Sequence, residues 1–216
     1  MIKSLAGVRP AVLAAASTVL ALSLSTPAHA AADAIAAAPD GKVTVEVIAA
    51  NGSGCAPGTA SVIANSDNTG FRIRYNDFVA ESGGNADATD RRKNCQIGVV
   101  VSVPAGWTFA VAEADYRGRA RLYAGATALQ RTNYYWQGSS ANSSTSETFA
   151  GPLNGYWETR DVAPVLVYTP CATQSVLNIN TELRVDGGGS ASKSSVSMKT
   201  SEGDVDTLFN FSWTRC

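Results

Sequence analysis

Two carboxylates, Glu113 and Asp115, are the residues best able to do acid–base chemistry, and they stand two positions apart in AVAEADYRGRARLY. On one strand they share a face, with side chains about 6.5–7 Å apart. Paired carboxyls about 5–9.5 Å apart are the acid and base of glycoside hydrolysis. The same face continues with Arg117, Arg119 and Arg121. Acids standing beside arginines also make an ordinary exposed charge ladder, and that reading is favoured. The even positions Ala112, Ala114, Gly118 and Ala120 are small. They suit close packing beneath the strand.

The second constellation is aromatic. In NYYWQG (133–138), Tyr134 and Trp136 point to one side of a strand and Tyr135 to the other. Flat rings stack on sugars, and amides such as Asn133 and Gln137 hydrogen-bond hydroxyls. Trp107, Tyr156 and Trp157 add further rings. Arg117, Arg119, Arg121, Tyr135 and Trp136 are therefore the ligand-binding candidates. Core packing is the competing role for the rings.

Other chemistries are closed. The only histidine, His29, lies in a segment expected to be removed. Without it there is no Ser-His-Asp triad, Cys-His dyad or histidine-ligated metal. No phosphate-cradling glycine motif is present. Calcium remains through Asp204 and Asp206 with Glu202, through Asp67 and Asn68, and through Asp186 before its glycines. Polar turn residues bonding their own backbone explain these positions better. No cofactor is expected.

Strands must position all of these groups. Period two recurs along the chain. Val43, Val45 and Val47 alternate with polar residues, as do Phe71, Ile73 and Tyr75. Ile97, Val99, Val101 and Val103 share a face. Leu177, Ile179, Leu183 and Val185 oppose Asn178, Asn180, Glu182 and Arg184. Phe209, Phe211 and Trp213 close the series. This is half-buried strand alternation, separated by Gly-, Asn- and Pro-containing turns. It predicts an all-β, antiparallel β-sandwich or jelly-roll-like fold. Ser-rich stretches at 138–148 and 190–201 read as long loops or edge hairpins.

Residues 1–30 read as a signal peptide. Lys3 and Arg9 precede an apolar run over 11–25, and Ala28-His29-Ala30 is a small-x-small cleavage site. Cleavage after Ala30 gives a secreted chain. Residues 31–41 form an Ala-rich lead-in, and 42–216 a single domain. Loss of Lys3 and Arg9 from 17 basic and 18 acidic residues leaves 15 and 18, a net charge of −3. That balance gives no reason to expect nucleic acid as a partner. No later segment is apolar for about 18 residues, so no integral membrane span is expected.

The four cysteines, Cys55, Cys95, Cys171 and Cys216, lie in the exported part. In an oxidising compartment they predict two disulfides, with three pairings open. The sequential pairs Cys55–Cys95 and Cys171–Cys216 are favoured, because the second ties down the last residue.

Seven pieces in order carry a resemblance: NGSGC (51–55), SDNTGFRIRYNDFVA (66–80), TDRRKNCQ (89–96), ADYRGRARLYAGA (114–126), NYYWQG (133–138), NINTELRV (178–185) and FSWTRC (211–216). Together they resemble the secreted domain-of-unknown-function family 4360. The resemblance implies an exported, cysteine-containing, mainly β domain. It implies no activity and transfers no catalytic residue. The function expected is non-catalytic binding of an extracellular glycan or other surface component. A carboxylate-dependent glycan hydrolase and a purely structural secreted or envelope protein are the alternatives.

Overall fold

The computed structural model describes residues 37–171, 174–198 and 206–216. The expected signal peptide and residues 31–36 of the lead-in lie outside the described residues, as do Glu202 and Asp204.

Twelve strands carry the described chain: β1 Thr44–Asn51, β2 Ala60–Ala64, β3 Gly70–Tyr75, β4 Val79–Ser82, β5 Arg92–Ser102, β6 Trp107–Leu122, β7 Thr127–Trp136, β8 Ser143–Ala150, β9 Leu153–Val162, β10 Gln174–Asp186, β11 Ser194–Ser197 and β12 Thr207–Arg215. A single 3-10 turn, Ala88–Arg91, is the only helical element among the described residues. The strands pair antiparallel throughout the described residues. The expected all-β sandwich is what forms.

One sheet has the order β1-β5-β10-β7-β8. The other is built around β6. Residues 113–115 of β6 pair with both β12 and β9, and 119–121 with both β11 and β9. So β12 and β11 follow each other along one edge of β6, and β9 takes the other. β3 and β4 continue the sheet beside β12 and β11, and β2 closes it beside β3. The Ser-rich stretches supply β8, which is an edge strand, and β11.

The inward faces match the sequence alternation: Phe71, Ile73, Ile97, Val99, Leu177, Ile179 and Phe209 are fully buried or nearly so. Aromatic contacts bind the core within and between layers. Phe71 stacks on Phe209 at 4.9 Å, Phe109 meets Phe211 at 4.7 Å, and Trp136 reaches from the opposite sheet to Phe109 at 4.9 Å, edge to face. Such pairs stabilise by about 0.5–1.5 kcal/mol each beyond the area they bury. A polar belt crosses the interior as well. Gln130 Nε2 donates to Thr132 Oγ1 at 2.9 Å, and Thr132 and Thr181 share a hydroxyl bond of 3.0 Å between β7 and β10.

Two bulges set which residues face outward. In β1 the register skips Ile48, between Val47↔Val99 and Ala49↔Gly98. The extra residue pushes Ile48 into solvent. In β6 the register skips Ala112, between Phe211↔Val111 and Asn210↔Glu113. Upstream of it Phe109 and Val111 face the core; downstream Ala114, Tyr116 and Ala120 do. The single parity read from the sequence therefore holds from Glu113 onward and not at Ala112.

Both disulfides form as favoured. Cys55–Cys95 joins Cα atoms 5.2 Å apart, and Cys171–Cys216 joins Cα atoms 5.8 Å apart. The Cys216 N–H also donates to the Gly106 carbonyl, so the final residue is held twice.

Candidate functional site

The sequence candidates separate onto three surfaces. Glu113, Asp115, Arg117, Arg119 and Arg121 all leave β6 on the outer face of its sheet. The acids are gripped from β9, opposite them in register. Arg160 Nε donates to Asp115 Oδ1 at 2.7 Å, and Arg160 Nη1 lies 3.6 Å from Glu113 Oε2. Asn210 Nδ2 also donates to Glu113 Oε1 at 3.2 Å. Asp115 is only 3% exposed. A general acid or base must meet a substrate proton directly or through one water. Asp115 instead meets a guanidinium, and the pair forms a charge ladder across strands.

The arginines continue the ladder. Arg117 Nη2 donates to Glu158 Oε1 at 3.2 Å. Arg119 lies over the Tyr156 ring at 5.6 Å, and Arg121 over the Tyr123 ring at 5.7 Å. Arg119 and Arg121 line a concavity of about 810 Å³. Its walls carry both signs of charge, and two of the acids are paired: Glu81 with Lys193 at 2.9 Å and Asp90 with Lys93 at 2.8 Å. The guanidiniums lie against the tyrosine faces, which leaves those faces less open to a sugar.

Trp136 faces inward and is 6% exposed. It lines a cleft of about 520 Å³ together with Tyr134, Ser143, Asp161 and Val165. Asp161 makes the polar floor, accepting from Tyr134 Oη at 3.3 Å and Ser143 Oγ at 3.2 Å. Burial, with the Asp161 charge nearby, pushes the Tyr134 phenol up to about 12.

Tyr135 is on the other side of β7, 36% exposed, on the outer face of the five-stranded sheet. There the register builds something the sequence candidates did not include. Asn51 stands opposite Gln96, Gln96 opposite Asn180, Asn180 opposite Asn133, and Asn133 opposite Ser144. This is a row of four amides and a hydroxyl crossing all five strands. At about 4.8 Å between strands it spans roughly 19 Å. In the next row Tyr135 faces Asn178, which faces Gly98. Gly98 leaves a floor without a side chain; a Cβ there would meet Ile48 Cγ1 at 3.3 Å. The result is a concavity of about 420 Å³ bounded by Ile48, Asn51, Gln96, Tyr135, Gln137 and Asn178.

The side-chain amides of Asn51, Gln96, Asn178 and Asn180 have no hydrogen-bond partner among the described residues. Asn133 Nδ2 donates to the Ser143 carbonyl at 3.1 Å. The unused amides face solvent and can each donate and accept. Asn178 and Asn180 were legible as a polar face; their alignment with Asn51, Gln96 and Asn133 depends on strand register.

Of the calcium candidates within the described residues, Asp67 and Asp186 behave as turn residues. Asp67 Oδ1 accepts from Thr69 Oγ1 at 2.6 Å and from its N–H at 3.1 Å, and Asp186 Oδ1 accepts from the Gly188 N–H at 3.0 Å. Asp206 pairs with Arg74 at 3.2 Å. Among the described residues no group of three or more His, Cys, Asp or Glu is placed to hold a metal.

Residues 41–216 match the family described as "Domain of unknown function (DUF4360)". The chain belongs to the DUF4360 family. An "Uncharacterized secreted protein" of Arthroderma benhamiae is similar to it, 30% identical over 182 residues, which is 83% of this chain and 74% of the relative. Among solved structures, TmCBM61 in complex with β-1,4-galactotriose overlaps 81% of this chain and 88% of its own at 9% identity, with a TM-score of 0.28. An overlap that low carries no argument about the DUF4360 domain's ligand.

Proposed function

We propose that the protein is a secreted, non-catalytic binding protein whose ligand is an extracellular glycan, held on the outer face of the five-stranded sheet. One observation carries the reading: the in-register amide row Asn51–Gln96–Asn180–Asn133 beside the Tyr135 ring. Sugar hydroxyls need both donors and acceptors, and a side-chain amide supplies both. The ring supplies a flat apolar surface for the C–H face of a pyranose. A strand-built platform holds these groups in place before the ligand arrives, which lowers the entropic cost of binding.

Secretion is supported by the leader-like N-terminus, by the two disulfides and by the relative described as secreted. Residues 42–216 act as one domain on this reading, after cleavage at Ala30. No metal or cofactor enters the binding.

A glycan array on the oxidised protein, run with calcium and with chelator, tests this. A calcium-independent hit lost in Tyr135→Ala and in Asn180→Ala is the expected result. A hit that survives both substitutions would move the site elsewhere.

A further inference from the structure

One same-face step along the strands from the amide row, roughly 7 Å away, Asn94, Glu182 and Arg131 stand opposite one another. One step further come Arg92 and Arg184. These charges converge on one carboxylate. Arg92 Nε donates to Glu182 Oε2 at 2.9 Å, Arg184 Nη2 donates to Glu182 Oε1 at 2.9 Å, and Arg131 Nη2 lies 3.5 Å from the same Oε1. The Glu182 side chain is 11% exposed, while the three arginine side chains are 48–58% exposed.

Three guanidiniums against one carboxylate leave two positive charges uncompensated within the cluster. Asp186, the next outward acid on β10, keeps its charge but makes no ion pair with the three arginines, and its Oδ1 accepts from the Gly188 N–H. Glu46 lies towards the opposite end of the face, paired with Val100. Glu182 is thus a buried counter-ion that fixes three arginines side by side and leaves N–H groups of each turned to solvent. A guanidinium fork matches the oxygens of a carboxylate or sulfate.

We infer that the glycan bound on this face is anionic, and that Arg92, Arg131 and Arg184 receive its carboxylate or sulfate group while the amide row holds the adjacent hydroxyls. The inference rests on the glycan reading above and narrows it. Arg131 makes the loosest of the three contacts to Glu182, so it is the arginine freest to turn to a ligand.

The test is affinity electrophoresis of the oxidised secreted protein in gels containing polygalacturonate, dextran sulfate or neutral dextran. The expected result is retardation by one or both polyanions and little by dextran. Arg131→Gln and Arg184→Gln should each weaken binding several-fold. So should raising the salt from about 0.05 to 0.3 M, where screening shortens the reach of charge; this arm needs no substitution that might unfold the protein. Asn180→Ala should weaken it too. The two polyanions separate a carboxylate ligand from a sulfate ligand. Dextran binding as tight as polyanion binding, unchanged in both arginine variants but lost in Asn180→Ala, would overturn the anionic inference and leave the glycan site standing. Polyanion binding indifferent to Asn180→Ala and Tyr135→Ala, or no binding to any of the three, would overturn both.

Discussion

Tyr135 and Trp136 are neighbours in the chain and lie on opposite sides of β7, the first on an open polar face and the second edge-on to Phe109 in the core. Their substitutions should have opposite consequences. Tyr135→Ala is expected to cost less than about 1 kcal/mol of stability and to weaken glycan binding at least tenfold. Trp136→Ala is expected to destabilise by about 3–5 kcal/mol through the cavity it leaves. Thermal melts and binding isotherms of the two variants check this. Equal loss of stability in both would contradict the assignment of faces.

The Arg160 grip on the acids makes a second prediction. Asp115→Asn keeps an oxygen acceptor but removes the negative charge from a 2.7 Å bond to Arg160. It should destabilise by roughly 1–2 kcal/mol, since Arg160 can still reach water. Glu113→Gln, at the looser 3.6 Å contact, should cost less than about 0.5 kcal/mol. Neither should change reducing-sugar release from polysaccharides, which is expected to stay at the buffer blank for the unmodified protein and both variants. Sugar release that disappears in either variant would favour the hydrolase instead.

Glu182 gives a pH dependence with a definite sign. Burial alone would raise its pKa, but the Arg92 hydrogen bond and the charges of Arg92, Arg184 and Arg131 outweigh it, and the carboxyl titrates below its ordinary 4.5. A depressed carboxyl contributes stability that is fully present above its unfolded pKa and lost as pH falls through its folded value. Stability should therefore hold down to about pH 4.5 and drop below it. The arginines are half exposed, so solvent screening limits the effect. Glu182→Gln should melt lower than the unmodified protein at pH 7, with the gap closing as the pH falls below the ordinary carboxyl value of 4.5. Parallel melting curves across that range would show that the cluster carries no folding energy.

The disulfides close loops of 40 and 45 residues. Loop-closure entropy puts each at about 4 kcal/mol. Replacing Cys55 and Cys95 together by alanine should lower the melting temperature by roughly 8–16 °C. Non-reducing peptide maps should link Cys55 to Cys95 and Cys171 to Cys216. Any crossed pair in the map would be inconsistent with this fold.

Much of the architecture was legible because alternation is a local signal. Phe71, Ile73 and Tyr75 face the core for the reason their spacing gives, and so do Leu177, Ile179 and Leu183. The bulge at Ala112 was not legible, since a skipped residue exists only relative to the β12 partner. The interior placement of Gln130 and Thr132 was hidden for a similar reason. A buried amide is tolerable only with partners, and the Thr181 partner comes from β10. The candidate site divided along the same line. Tyr135 could be placed outward from its own segment, whereas the amide row joins residues 51, 96, 180 and 133, which only strand pairing brings together.

The skipped residue in β1 has a bearing on how copies of this chain meet one another. β1 is the free margin of its sheet, where unpaired N–H and C=O groups invite another chain to zip on. A margin that must recruit a strand has to keep an unbroken rhythm, and Ile48 breaks it midway. The opposite margin, β8, reads Ser-Ser-Thr-Ser-Glu-Thr-Phe-Ala, too polar to nucleate a dry seam between molecules. The irregularity beside the proposed binding face thus also works against edge-to-edge growth of this sheet into fibres.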